Sequence, residues 1–298
     1  MSSYPGKGEG STAEWGWTDR PIFLPVTYDM REWNAAFIAS SMAAYSGGGL
    51  VLFCVSTPDS SPDPAFRGEL QSLLSRLGVK ADVVMRRSEG ESSDSVARAI
   101  VEEAERRGAQ TIVMAARKQS VFGHVIGGVP DRVARRSPIR TILVGTSRAG
   151  ARIPASVRKI IVLVKSGKES KDAFMVAAAL ASLGTPGGAE LVAAHAIVLP
   201  RTVPLDAVKF SDDIKPMERE FANSVSESIK NLGRPFTPRV LVARQLGTDV
   251  GSFVAQEGGD MVVLSGRRSS PLAAIFGKDT EDIVRSSPCT TLVVFAAK

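Results

Sequence analysis

Residues 129–144 read VPDRVARRSPIRTILV, and residues 279–294 read DTEDIVRSSPCTTLVV. Each segment sets an acid ahead of a short amphipathic turn. Arg135 or Arg285 follows, then Ser137-Pro138 or Ser287-Pro288, then a β-branched apolar run. The offset is 279 − 129 = 150 residues in a chain of 298. Self-similarity at a fixed spacing is the mark of a duplicated unit, so the chain reads as two copies of one fold.

Working outward from these two endings, the same grammar fills each half. Ahead of 129–144 come a short apolar strand at 22–26, a helix over 30–45 stopped by Gly47-Gly48-Gly49, and the buried strand LVLFCVS. A helix over 65–77, the strand VKADVVM, the helix SSDSVARAIVEEAERRG and the strand TIVMAA follow. Ser and Asp favour the start of the last of these helices and Gly its end. Pro130 suits a first helical turn. Ahead of 279–294 the order repeats, with KIIVLVK, ESKDAFMVAAALASLG, AELVAAHAIVL, a loop over 199–213, a helix over 214–231, FTPRVLVAR, a short helix over 248–257 and DMVVLSG. Strands that are continuous apolar runs belong to a parallel sheet with helices on both faces. The expected units are residues 20–148 and 157–298, joined by a linker at 149–156 and preceded by an arm at 1–19. Trp15 and Trp17 are the apolar exceptions in that arm, and they dock on the body or on a partner.

Composition agrees with a layered α/β chain. Hydrophobic residues make up 44% and aromatics 6%, so Val, Ile, Leu and Ala must fill the core. The formal charge of +6 is spread along the chain, with 18 Lys and Arg against 16 Asp and Glu in residues 1–150, and 19 against 15 in 151–298. Scattered Arg pairs do not make the concentrated basic surface that nucleic-acid recognition needs. The two cysteines, Cys54 and Cys289, form no framework and read as free thiols of a reducing compartment. No apolar leader and no run long enough for a membrane span is read, so the expected location is the cytoplasm.

The duplicated order and the endings Gly127-x9-Ser137-Pro138 and Gly277-x9-Ser287-Pro288 resemble the universal stress protein, or UspA, family in its tandem two-domain form. The resemblance implies an α/β fold of two tandem, open, twisted, mostly parallel five-stranded sheets with helices on both faces, of the adenine-nucleotide alpha-hydrolase-like kind. It also implies pairing through the last strands, either between the two halves of one chain or by self-association with a second copy. An exposed apolar edge such as TILV or TLVVF needs a cover, and pairing 140–145 with 290–295 supplies it.

Many members of that family bind ATP where the strands end, through Gly-x2-Gly-x9-Gly followed by Ser or Thr. Such glycines let backbone N–H groups cradle phosphates at a helix start. This chain departs from the motif in both copies. Strict counting puts Met114 and Arg117 at the first two glycine positions of the first copy, and one deletion puts Ala115 and Lys118 there. In the second copy the same two registers give Leu264 and Arg267, or Ser265 and Arg268. Gly127 and Gly277 hold the closing position, with Gly128 and Lys278 in place of Ser or Thr. Where ATP-binding members carry an Asp at the end of strand one, this chain has Val26-Thr27 and Val164-Lys165. The basic side chains are either solvated loop residues, anion ligands replacing the lost backbone cradle, or contacts to an acidic partner.

An enzyme is not expected. His124 and His195 have no companion at metal-ligand spacing, and neither a Gly-x-Ser-x-Gly elbow nor a Walker lysine motif is present. The leading expectation is a non-catalytic stress-response or regulatory protein that acts through association and needs no cofactor. One alternative is a sensor of ATP, AMP or another anionic nucleotide. The other is an accessory module docking on a membrane transporter.

Overall fold

The computed structural model describes residues 17–56, 63–87, 92–116, 128–145, 152–154, 156–164, 170–182, 188–200, 202, 214–230, 234–267 and 278–298. In the first half the strands are β1 (Ile22–Pro25), β2 (Leu50–Ser56), β3 (Ala81–Arg87), β4 (Thr111–Ala115) and β5 (Arg140–Gly145). The helices between them are α1 (Trp33–Ser46), α2 (Pro64–Leu77), α3 (Ser93–Arg106) and α4 (Val129–Arg136). The second half holds β6 (Lys159–Leu163), α5 (Lys171–Ala181), β7 (Glu190–Val198), α6 (Ile214–Ile229), β8 (Thr237–Ala243), α7 (Leu246–Glu257), β9 (Met261–Ser265), α8 (Lys278–Ser286) and β10 (Thr290–Phe295). Local chemistry sets the helix starts. Asp63 accepts from Ala65 N at 2.9 Å to begin α2, and Ser92 accepts from Ser95 N at 3.1 Å to begin α3.

The two expected five-stranded sheets are present, and they join into one sheet of ten strands in the order β3-β2-β1-β4-β5-β10-β9-β6-β7-β8. Neighbours within each half run parallel, and the single join, β5 to β10, is antiparallel. Leu143 lies opposite Val293, its own counterpart 150 residues on, so a local twofold passes through that pair. Both edge strands of 140–145 and 290–295 are buried by the join.

Two apolar layers cover the sheet, and each runs through both halves. Ile22, Leu24, Ile142, Ile160 and Leu292 face one layer, and Phe23, Leu143, Ile161 and Val293 face the other. This alternation is the period of two along each strand. Helices α1 and α5 pack against each other on the first layer, across the join. Residues 173–181 are therefore buried all round rather than on one face, with the sheet below and α1 beside them.

The repeated Ser-Pro pair has a structural explanation. Ser137 N closes α4 on Val133 O at 2.9 Å, and Ser287 N closes α8 on Ile283 O at 2.9 Å. The Ser137 hydroxyl then donates to Ile139 O at 3.2 Å, and that of Ser287 to Cys289 O at 3.2 Å. Each serine thus stops a helix and sets the bend into the last strand.

Trp17 is 1% exposed and docked on the body, with its ring edge-on to Tyr45 and 4.8 Å below the Arg140 guanidinium. The Gln110 amide clamps the segment behind it, donating to Thr18 O at 2.7 Å and accepting from Thr18 N at 3.1 Å. Trp15 and most of the loop 199–213 lie outside the described residues. Among the described residues no helix is long and apolar enough to cross a membrane.

Glu103, buried on α3, takes hydrogen bonds from Arg106 and Arg107. These guanidinium groups hold its carboxyl below the ordinary carboxylate value of 4.5 despite burial. A depressed folded value gives stability that is present above the unfolded value and is lost as pH falls through the folded one. Glu103→Gln is expected to be less stable at neutral pH and to lose less on acidification, measured as the urea midpoint across the acid range.

Candidate functional site

In a sheet of this kind ligands sit where the strands end, so the two candidate sites lie at the carboxyl ends of β1 and β4, and of β6 and β9. Extending the β1–β4 register from Phe23 and Ile112 places Val26 level with Ala115. Extending β6–β9 from Leu163 and Leu264 places Val164 level with Ser265. Val26 and Val164 are buried. The chain leaves both inner strands in the same way, with Ala116 N donating to Val144 O and Gly266 N to Val294 O, each at 2.8 Å. Gly128 caps α4 and Lys278 opens α8. Arg117, Lys118, Gly127, Lys165, Arg268 and Gly277, with His124, lie outside the described residues.

At the first site a carboxylate stands beside Thr27, from a position the sequence reading missed. Thr27 N donates to Glu32 Oε2 at 2.8 Å and Thr27 Oγ1 to Glu32 Oε1 at 2.9 Å. Glu32 is buried and ends a 3-10 turn over Met30–Glu32, whose cap is Asp29. The signal was available as Asp29-x-x-Glu32 ahead of the first helix, which resembles a helix-start pattern. In the fold the glutamate turns back to the strand end instead. Tyr28 between them has a left-handed backbone, φ 57°, which costs a non-glycine residue about 1–2 kcal/mol. Packing compensates, since its ring meets Phe66 edge-on at 6.0 Å and lies 4.8 Å from the Arg67 guanidinium. Its carbonyl accepts from Asp63 N at 3.1 Å, which ties the start of α2 to the end of β1.

Burial pushes the Cys54 thiol above its ordinary value, and the Glu32 charge adds to that. Burial also raises the Tyr28 hydroxyl, and Cys54 adds to it. Both groups stay protonated at neutral pH, so Cys54 is not a nucleophile here. Cys54 and Cys289 are free, and Cys289 is only partly buried because it lies in the bend ahead of β10. At α4 the first turn already holds a buried acid, Asp131, paired with Arg135 at 3.3 Å. An acid in the first turn is favoured by the helix dipole.

Different residues meet at the second site. His195 Nδ1 donates to Val164 O at 2.8 Å, and its ring stacks 5.5 Å from Phe221 on α6. Val164 N is used by Ala194 O at 2.8 Å. The histidine on the second strand of the unit is therefore bound to the end of the first. Gly266, just past Ser265, lies under the Phe295 ring, and a Cβ there would fall 2.3 Å from the ring edge. Arg267 beyond it is exposed. Among the described residues no cluster of three or more His, Cys, Asp or Glu is placed to hold a metal.

The open, doubly covered sheet and its repeated element order define a tandem α/β protein whose halves pair through their last strands. The chain belongs to the universal stress protein family, whose model matches residues 29–145 and 156–294. Its fold is similar to that of a universal stress protein from Archaeoglobus fulgidus DSM 4304, with a TM-score of 0.61 at 15% identity over 95% of this chain and 98% of that one. It is also similar to a functionally unknown protein from Pseudomonas aeruginosa PAO1, with a TM-score of 0.62 at 15% identity over 96% of this chain and 95% of that one. None of the curated proteins compared with the chain matches it. Family membership gives the chain a regulatory, stress-response role of a non-catalytic kind.

Proposed function

We propose that this chain is a cytoplasmic regulator of the stress response that acts by association and leaves both strand-end sites without nucleotide. Its working units are residues 20–148 and 157–298, joined by 149–156. The observation that carries the reading is the use of each strand end by the protein itself. Both donors of Thr27 are taken by Glu32, and the Val164 carbonyl is taken by His195. A nucleotide would have to displace a charged hydrogen bond at the first site and a stacked histidine at the second. The alternative, a sensor of ATP, AMP or another anion, draws support from exposed Arg267 at the end of β9.

Thermal unfolding of the full chain with millimolar ATP, AMP or cyclic AMP separates the two. A ligand at 100 times its dissociation constant adds about 2.7 kcal/mol. In a protein of this size that is a Tm shift of roughly 4 °C. No shift is expected for the wild-type chain. A shift of that size with any of these nucleotides sinks the degenerate-site reading and favours the sensor.

A further inference from the structure

We propose that β3 is a docking edge for a second copy of this chain, joined antiparallel to its own counterpart about a twofold axis at Val84. The proposal concerns a surface remote from the strand-end sites and stands whether or not these hold nucleotide.

The two outer strands of the ten-stranded sheet are β3 and β8, and they differ. In a parallel ladder one residue points its N–H and C=O to the same side. Lys80 O accepts from Leu50 N at 2.9 Å, so the even-numbered residues of β3 face β2. Ala81, Val83, Met85 and Arg87 then present their backbone groups outward. At the other edge Leu199 N donates to Ala243 O at 2.8 Å, so Pro238, Val240 and Val242 face out. Pro238 has no N–H, and Val240 N is already taken by Glu218 Oε1 at 3.3 Å. The β8 edge is blunted, while β3 contains no proline and no strand lies beyond it among the described residues. One usable edge per chain produces a closed pair rather than a filament.

The sequence of β3, ADVVMRR, fits itself when reversed. Centred on Val84, Val83 of one copy lies opposite Met85 of the other, and Asp82 lies opposite Arg86. The register has the right parity, because Val83 and Met85 both point their backbone outward and so form a hydrogen-bonded pair. Asp82 and Arg86 fall in the closer, non-hydrogen-bonded pair, where opposite charges attract. Val83 and Met85 are also 60% and 64% exposed, the two most exposed large apolar residues described. Pairing places them side by side on one face of the joined sheet.

Sedimentation of the full chain at micromolar concentrations tests this, with circular dichroism confirming that each variant folds. The wild-type chain is expected as a dimer. Val83→Pro removes an outward N–H and leaves the bonds to β2 in place, and Asp82→Arg sets two arginines opposite each other. Each is expected to weaken the dimer by at least about tenfold. Asp82→Arg with Arg86→Asp is expected to restore it. Each single change also removes an intrachain pair, Asp82–Arg107 or Arg86–Glu102, which the double variant does not rebuild. Recovery therefore reports the contact between copies. A monomeric wild-type chain overturns the proposal, whether its β3 amides exchange freely or are protected by residues 1–16. A dimer indifferent to Val83→Pro and Asp82→Arg overturns it as well.

Discussion

Arg140→Ala is expected to lower the unfolding free energy by about 4 kcal/mol, because it strips the partner from a carboxylate at the join between the halves and the cation from Trp17. Arg140 Nε donates to Asp172 Oδ1 at 2.7 Å, with side-chain exposures of 10% and 25%. Removing one member of a buried pair costs about 3–5 kcal/mol, and the partial exposure of Asp172 puts this site at the low end. The loss of the cation over Trp17 adds about 1 kcal/mol. The repeat supplies the control. Arg140 and Thr290 are counterparts at the starts of the two last strands, and Asn34 and Asp172 are counterparts on α1 and α5. At the mirrored position Asn34 Nδ2 donates to Thr290 Oγ1 at 3.2 Å, a neutral contact in the same place. Arg140→Thr with Asp172→Asn rewrites the ionic contact in the neutral form and is expected to recover most of the loss. Urea unfolding followed by tryptophan fluorescence measures all of these. A cost under about 1 kcal/mol for Arg140→Ala shows that water screens the pair and that the join does not depend on it.

The second large effect is at Gly251, where the same substitution has opposite signs at two helical glycines. Gly247 and Gly251 lie one turn apart on α7 and face α8. A Cβ on Gly251 would fall 2.5 Å from Ser286 O, and one on Gly247 would fall 2.7 Å from Asp282 Cβ. The obstacle at Gly251 is helix backbone, which cannot swing aside. Helix propensity favours alanine over glycine by about 1 kcal/mol, but overpacking costs about 1–3 kcal/mol and outweighs that gain. Gly251→Ala is expected to destabilise by about 1 kcal/mol, and Gly251→Val by about 3 kcal/mol or more. Gly68 on α2 is exposed, and its added Cβ would meet nothing within 4 Å. Gly68→Ala is expected to stabilise by up to about 1 kcal/mol. Thermal unfolding of the three variants checks the ranking. A Gly251→Val protein as stable as wild type shows that α7 can move off α8.

Much of the fold was legible because its signals are local. Apolar runs of strand length, Ser or Asp at helix starts and the repeated Ser-Pro bend each act within a few residues. Together they gave the order of elements in both halves. That 140–145 and 290–295 match each other was also legible, because an apolar edge needs a cover and the duplicated chain carries a matching one; that they pair within one chain came from the fold. The seam at Gly247 and Gly251 was not legible. Gly247 reads as a residue ahead of a helix, and it lies inside α7 because α8 approaches too closely for any side chain there.

The candidate sites divide in the same way. Val26, Thr27, Ala115 and Gly128 in one half, and Val164, Ser265 and Lys278 in the other, were placed at strand ends and helix starts by counting along the chain. Their partners were not. Thr27 reads as the loss of a carboxylate, yet Glu32 brings one back through a turn and a left-handed Tyr28. His195 reads as a histidine without a companion, yet its partner is a backbone carbonyl, which every residue carries and no motif can mark. By itself the sequence determined a duplicated, mostly parallel α/β chain with paired last strands, because periodicity and edge burial are properties of single segments. The tertiary structure alone decided that Glu32 meets Thr27 and that His195 meets the Val164 carbonyl, because that depends on how turns and neighbouring strands carry side chains onto one point in space.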